Sequence, residues 1–482
     1  MSVIILLLLT ILTWRHLPTI PFQGEGFYYF EKITNKVILP QDTLAQLIFY
    51  VIPPIFNDRL DLYMYLLFIV MLVIDAALYV LIRVVTENRL TAFVVTLLFS
   101  LSYVGNYDMY SSGGYQYFVQ RAVILLPQLL SLMFLIIFFL HNFQMRYYRL
   151  SLALYLLAIG MGFFGTWFLP PFLFYPCFYI LLNLRRFKQI FLKIIWVPLP
   201  YLAGNILLIK DSLSPYTEEP FLTFLLHNPK VIPGLVQQLI VISLPPGIYD
   251  WSVKSLHLAE RTQVVPFLGI LTLIFYLCAA MFIWKLKPSW RVLMVTSIAS
   301  IVLMLLFNLY LNSANVLFSF NSSRYFYFPS VFIAIFWGLF LTTLLLFLEK
   351  NRTYFLIAFC AIWLAINNIA IQKNLKDDEW RNRANTDTIN YLHLWSRDLK
   401  AYPSYVYLPA NLGTYGASFV FRYFSHPDGK FRLQGFDELD LPALAKEKVD
   451  PNRLYVLNLS IKDEQVFDKT EESRRALRGL ER

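Results

Sequence analysis

The chain has 482 residues, 58% hydrophobic and 15% charged, against about 45–50% apolar and about 25% charged in ordinary soluble proteins. Apolar runs recur from the N-terminus to about residue 371, and about 20 such residues cross a bilayer, so a water-soluble globule is excluded. The net charge of +10 does not indicate nucleic acid: residues 372–482 hold 18 basic and 17 acidic residues, which leaves +9 in the apolar part.

Apolar runs bounded by charges and turn residues predict eleven membrane helices, near 3–17, 60–82, 90–105, 122–141, 150–167, 169–184, 191–209, 264–284, 292–312, 329–348 and 353–371. The first is wholly apolar only from 3 to 12 and is followed by Trp14, Arg15 and His16. With no basic leader and no small-residue cleavage site it reads as a short retained helix rather than a signal peptide. Alternate connections are short and basic: Arg83 and Arg89; Arg146 and Arg149; Arg185, Arg186 and Lys188; Lys285, Lys287 and Arg291; Lys350 and Arg352. The positive-inside rule assigns this set to the cytoplasm. The expectation is a multi-pass protein of the cell (inner) membrane with its N-terminus cytoplasmic and its C-terminal segment extracytoplasmic.

The opposite connections, 18–59, 106–121 and 210–263, are longer and rich in Tyr, Phe, Trp and Pro. Loops of this length in a compact fold usually carry function, so the chemistry is expected outside. Cys177, Cys278 and Cys360 lie far apart in apolar runs and read as small core hydrophobes, with neither metal-ligand nor disulfide spacing.

After Gln372 the composition turns charged and polar, which predicts two domains: 1–371 in the membrane and a soluble α/β unit over 372–482. Strands are expected at 404–409 and 453–459, with a weaker one at 431–434. Helices are expected at 384–400, 413–424, 437–448 and 470–480. This alternation predicts a small, mainly parallel sheet, and no Gly-rich phosphate loop follows either good strand.

Four groups of residues carry candidate chemistry. Glu25, in PFQGEGFYYFEK, stands between two glycines that permit close backbone approach, with Tyr28 in the aromatic run behind it. Set at the interface among apolar rings, it reads either as a general base or as an exposed loop glutamate; Glu31 is the second choice in the same loop. NYDMYSSGGYQYFVQR (106–121) contains Asp108, Tyr115 and Arg121; its Tyr, Ser, Gly and Gln combine ring stacking with neutral hydrogen bonding, as sugar recognition needs, or form a Gly-containing turn with interfacial tyrosines. In NSSRYFYFPS (321–330), Arg324 precedes a span beside Tyr325. A guanidinium there can hold a phosphate bidentately or simply anchor at the interface. The loop 210–263 adds Lys210, Asp250, Lys254, His257 and Arg261. His257 is a lone histidine without ligand partners at metal spacing, so a divalent metal has no motif support.

The order of these features resembles the GT-C superfamily of integral membrane glycosyltransferases. They are a short first span, an acidic residue just beyond it, an amphipathic stretch (QDTLAQLIFYVIPPIF, 41–56), two further spans, an aromatic external loop and SRYFYFPS before a late span. The branch most similar contains the protein O-mannosyltransferases and the aminoarabinose transferases. The resemblance covers residues 1 to about 371 as architecture. It implies a polyprenyl-phosphate-linked sugar as donor and a glycan, lipid or protein acceptor. In that family an external Asp-Glu pair follows the first span. Glu25 stands in the matching place, with Gly24 where the pair has its Asp.

The roles so implied are Glu25 as base and Asp108 as its helper or a sugar ligand. Arg324, with Arg121 or Lys210, would hold the donor phosphate, and Glu31, Tyr28, Tyr115, Tyr325, His257 and Arg261 would be substrate contacts. Two rivals are a lipid-linked glycan flippase or transporter, which predicts broken spans at matching positions in two halves, and an O-antigen polymerase or ligase, kept in view by His257 and Arg261. A non-enzymatic membrane scaffold is the third.

Overall fold

The computed structural model describes residues 2–15, 60–102, 105, 123–161, 167–183, 195–212, 221–229, 231–243, 261–285, 287–311, 326–348, 352–409, 413–434, 439–460 and 465–480. These residues are mostly helical, with one small sheet at the C-terminal end. Five helices are long and apolar enough to cross a membrane, consistent with a polytopic membrane protein. They lie in α2 (Leu60–Thr86), α4 (Val123–Leu140), α11 (Pro288–Leu311), α12 (Tyr327–Phe347) and the first part of α13 (Arg352–Ala401).

Shorter helices stand between them: α1 (Ser2–Trp14), α3 (Arg89–Ser100), α5 (Met145–Met161), α6 (Pro170–Leu182), α7 (Leu199–Ser212), α8 (Phe221–His227), α9 (Val231–Ser243) and α10 (Arg261–Ile283). Helix α1 is two-faced. Ile4, Leu8 and Leu12 are exposed, whereas Leu6, Thr10, Thr13 and Trp14 are buried. At Asn88 an extended backbone lets the side-chain oxygen accept from the N–H groups of Leu90 and Thr91, which starts α3. Glu87, at φ 55°, makes the reversal from α2 into α3.

Helix α12 is the most enclosed of the long helices, and the apolar part of α13 the least. Two features hold α12 in place. Gly338 lies so close to α3 that an added Cβ would sit 2.3 Å from a Val95 methyl. On the α10 side, Phe336 stacks on Tyr276 at 4.6 Å between centroids and Trp337 meets Phe275, also at 4.6 Å. Elsewhere small and hydroxyl residues join helices, as expected where lipid gives no hydrophobic drive for association. Ser131 of α4 and Ser151 of α5 donate to each other's carbonyls at 2.6 and 2.7 Å, and Ser151 Oγ is 2.7 Å from Tyr201 OH on α7.

An ion pair at 3.6 Å between Lys287 and Glu87 brings the α2–α3 turn and the α10–α11 connection to one end of the bundle. Leu346, near the end of α12, lines a cavity with the same two residues. Two of the basic connections and the end of α12 are thereby together.

The tail forms a four-stranded sheet in the order β2–β1–β3–β4 from β1 (Tyr405–Pro409), β2 (Lys430–Gln434), β3 (Leu454–Ser460) and β4 (Gln465–Asp468). The first three pair in parallel, Tyr405 standing between Lys430 and Leu454, and β4 pairs antiparallel with β3. Around it lie α14 (Gly413–Phe424), α15 (Leu441–Lys446) and α16 (Thr470–Leu480). Helix α13 reaches the sheet as well, with Trp395 5.0 Å from Tyr455 between ring centroids.

Several expectations require correction. The connection 210–263 is not loop throughout: α8 and α9 lie within it, Lys210 belongs to α7 and Arg261 opens α10. The apolar stretch VIPGLVQQLIVIS is 13 residues long, too short to register as a span. The helix expected at 384–400 is not separate, because α13 continues through 372 without interruption. The three cysteines are not core residues: Cys177 and Cys278 are exposed and Cys360 half-buried, and none is in a disulfide. An outward apolar side chain costs nothing where the surroundings are lipid. Strand β4 had no advance signal in its four residues, QVFD.

Candidate functional site

Two arrangements stand out at the end of the bundle away from the Glu87–Lys287 pair. The first is a polar cluster around Asp75, which lies mid-way along α2 and has no exposed surface. Ser100 Oγ, at the end of α3, donates to Asp75 Oδ2 at 2.7 Å. Thr10 Oγ1 of α1 is 3.2 Å from the same oxygen and 2.6 Å from Ser100 Oγ. The Trp14 indole N–H donates to Ser100 O at 3.0 Å, and the Gln372 side-chain amide of α13 donates to Thr13 O at 2.7 Å. Four helices are tied together within a few residues of the point where α1 and α3 end.

An ionisable residue within a membrane helix is costly and marks function by default. Asp75, the only charged residue between Asp61 and Arg83, carries that signal. Fully enclosed, it ties together α1, α2 and α3.

The second arrangement is a mouth and a groove. Gly105, at φ 92°, lies against the start of α12: an added Cβ would be 2.8 Å from Ser330 Oγ and 3.2 Å from Phe326 O. Only a residue without a Cβ fits both the backbone and the space. Ser330 Oγ donates to Tyr327 O at 2.6 Å, and Phe99 packs on Tyr327 at 5.9 Å between centroids. Beneath this contact a cavity of about 130 Å³ runs along α12. Hydroxyl groups stand at Ser102, Ser243 and Ser330; the rest of its wall is aliphatic and aromatic and includes Ile333, Ala334 and Leu341, with the indoles of Trp337 and Trp363. Ser243 is itself tied to Tyr276 OH at 2.8 Å. From Ser330 to Leu341 the helical rise is about 17 Å, so this is an elongated apolar slot with a hydroxyl-bearing end.

Most residues singled out from the sequence lie outside the described residues: Glu25, Tyr28, Glu31, Asp108, Tyr115, Arg121, His257, Arg324 and Tyr325. Lys210 and Arg261 are described as helical backbone only. The mouth nevertheless joins two of these groups in the chain, since Gly105 precedes Asp108 by three residues and Phe326 follows Arg324 by two. Among the described residues, no group of three His, Cys, Asp or Glu side chains is placed to hold a metal ion.

No protein-family model matches the chain, and no curated protein does. Among solved structures, the chain is similar to the archaeal oligosaccharyltransferase AglB from Archaeoglobus fulgidus, in complex with an inhibitory peptide and a dolichol-phosphate. The TM-score is 0.47 at 14% identity, over 88% of this chain and 64% of that one. The chain thus spans a little under two thirds of that protein's length.

Proposed function

We propose that this chain is an integral membrane glycosyltransferase of the GT-C type. It would transfer a sugar from a polyprenyl-phosphate carrier to an acceptor hydroxyl on the extracytoplasmic face, with inversion. The observation that carries the reading is the apolar slot along α12, whose hydroxyl-bearing end adjoins the Gly105–Phe326 contact. An isoprenoid tail needs such a slot, and its phosphate needs a cation at the slot's mouth. Chain connectivity limits the Cα atoms of Asp108 and Arg324 to about 11 Å from Gly105 and about 7 Å from Phe326, respectively.

In the proposed reaction, Glu25 accepts the proton of the acceptor hydroxyl as that oxygen bonds to the anomeric carbon. The bond from that carbon to the phosphate oxygen breaks through an oxocarbenium-like transition state. The departing lipid phosphate keeps the electron pair, and Arg324, helped by Arg121 or Lys210, stabilises its charge. Asp108 orients the base or binds sugar hydroxyls, with Tyr28, Tyr115, Tyr325, Glu31, His257 and Arg261 completing the substrate contacts. The proposal includes eleven spans, a cytoplasmic N-terminus and an extracytoplasmic 372–482 unit. The cluster around Asp75 supports it by fixing the helices from which the loops of Glu25 and Asp108 emerge.

The deciding measurement is sugar transfer by purified protein supplied with lipid-linked donor and acceptor. Glu25→Gln is expected to lower turnover by about 10²–10⁴-fold while the thermal unfolding midpoint stays unchanged. Wild-type turnover in that variant removes Glu25 from the mechanism. Donor moved across a bilayer without cleavage, in the wild type, replaces the reading with that of a flippase.

A further inference from the structure

The opposite end of the bundle holds a second cavity, of about 310 Å³, within the range of small-ligand sites. It lies where the α2–α3 turn, the start of α11 and the end of α12 meet, about 30 Å along α12 from the mouth. Its walls include Glu87, Asn88, Arg89, Lys287, Trp290 and Leu346. Arg89 and Lys287 are both exposed, Glu87 reaches Lys287 at 3.6 Å, and Arg83 Nη1 donates to Glu87 O at 2.5 Å. With one carboxylate against Arg83, Arg89 and Lys287, the surroundings remain cationic.

Trp290 is 5% exposed, and its indole N–H has no hydrogen-bond partner. A buried donor left unmade costs about 1–3 kcal/mol, so an acceptor oxygen brought to this wall would be favoured. Asn88 spends its side-chain oxygen on the N-cap of α3, which leaves its amide N–H groups as further donors. Leu346, half exposed, supplies an apolar flank on the lipid side. Donors and cations beside an apolar flank, at the end of membrane helices, match a phosphate ester attached to acyl chains.

We infer that this cavity binds the phosphate headgroup of an anionic phospholipid in the leaflet facing the basic end. The inference does not depend on the proposed transfer reaction. It concerns a different end of the molecule and a lipid that is not consumed.

Detergent-solubilised full-length protein would be titrated with phosphatidylglycerol, phosphatidylcholine or inorganic phosphate, and retained lipid counted by native mass spectrometry. Phosphatidylglycerol is expected to bind and raise the unfolding midpoint, with the other two having little effect. Arg89→Gln combined with Lys287→Gln is expected to weaken phosphatidylglycerol binding about tenfold or more. Trp290→Phe, which removes only the N–H, should weaken it several-fold. Undiminished phosphatidylglycerol binding in the double variant overturns the inference, as does equal binding of phosphatidylcholine. A response to inorganic phosphate equal to that of the lipid makes this a free-anion site and overturns the lipid assignment. If the double variant does not accumulate, Arg89→Gln alone, at an exposed position, decides on the same terms.

Discussion

The two ends of α12 differ in what they bring to a ligand. At Ser330 the described walls are uncharged, hydroxyl groups and hydrocarbon with the indoles of Trp337 and Trp363, leading into a narrow slot. At Leu346 they include a guanidinium, an ammonium and an indole N–H around a wider cavity. The basic end is assembled from helix termini and short turns and needs nothing further to be charged. The mouth has no cation in its described wall, so in the proposed reaction the cation for the lipid phosphate would come from the segments that continue beyond Gly105 and precede Phe326. A site whose specificity is supplied by long connections on a rigid helical frame suits catalysis, and a self-contained site suits a constant lipid partner.

The strongest way to break this comparison is at Gly105. An alanine there meets Ser330 Oγ at 2.8 Å and must hold φ near 92°, a conformation costing about 1–3 kcal/mol for a residue with a side chain. We expect Gly105→Ala to lower stability by about that amount and to reduce transfer, while leaving phosphatidylglycerol retention intact. Gly160, next to the last residue of α5 and with open space around an added Cβ, provides the opposite sign: Gly160→Ala should stabilise by about 0.4–1 kcal/mol. Chemical or thermal unfolding of the two variants in one detergent makes the measurement. Equal effects of the two would mean that the Gly105 contact is not a constraint.

The sequence gives the helices through length and apolar runs, because a helix in lipid must satisfy its own backbone and so needs long uniform stretches. It gives the parallel core of the tail for the same reason, SYVYLP and RLYVLNL being strands buried on both faces. It fails where the determinant is a contact between distant segments. Nothing local in GNYD or RYFYFP announces that Gly105 abuts Ser330, and α9 is concealed by being shorter than a bilayer. Asp75 is legible in the sequence: its isolation in LLFIVMLVIDAALYVLI is itself the signal. The loop residues proposed for chemistry stand out by residue type and resemblance, and the frame beneath them supplies only their chain neighbours.

A smaller effect is expected from filling the slot. Ala334 lines it about one turn below Ser330, and Ala334→Phe would occupy volume that an isoprenoid chain needs. The expected result is a rise of about tenfold in KM for the lipid-linked donor, equivalent to about 1.4 kcal/mol. Little change in kcat and none in phosphatidylglycerol binding should accompany it. An unaltered KM would separate the slot from the donor and leave the two ends distinguished by charge alone.

The smallest expected effect tests whether the mouth end is neutral in its action as well as in its walls. Asp75 is the one buried carboxyl group among the described residues, and Ser100 donates to its Oδ2 while its Oδ1 has no partner. Asparagine keeps an acceptor oxygen for Ser100 and Thr10 at nearly the same volume. If Asp75 serves only to tie α1, α2 and α3, Asp75→Asn should cost less than about 1 kcal/mol, the scale of a hydrogen bond between membrane helices, with transfer activity nearly retained. Loss of activity at unchanged stability would mean that the acid itself takes part, through a proton or a charge. The mouth would then share with the basic end a built-in ionic group, and the contrast between them would lie in sign rather than in the presence of charge.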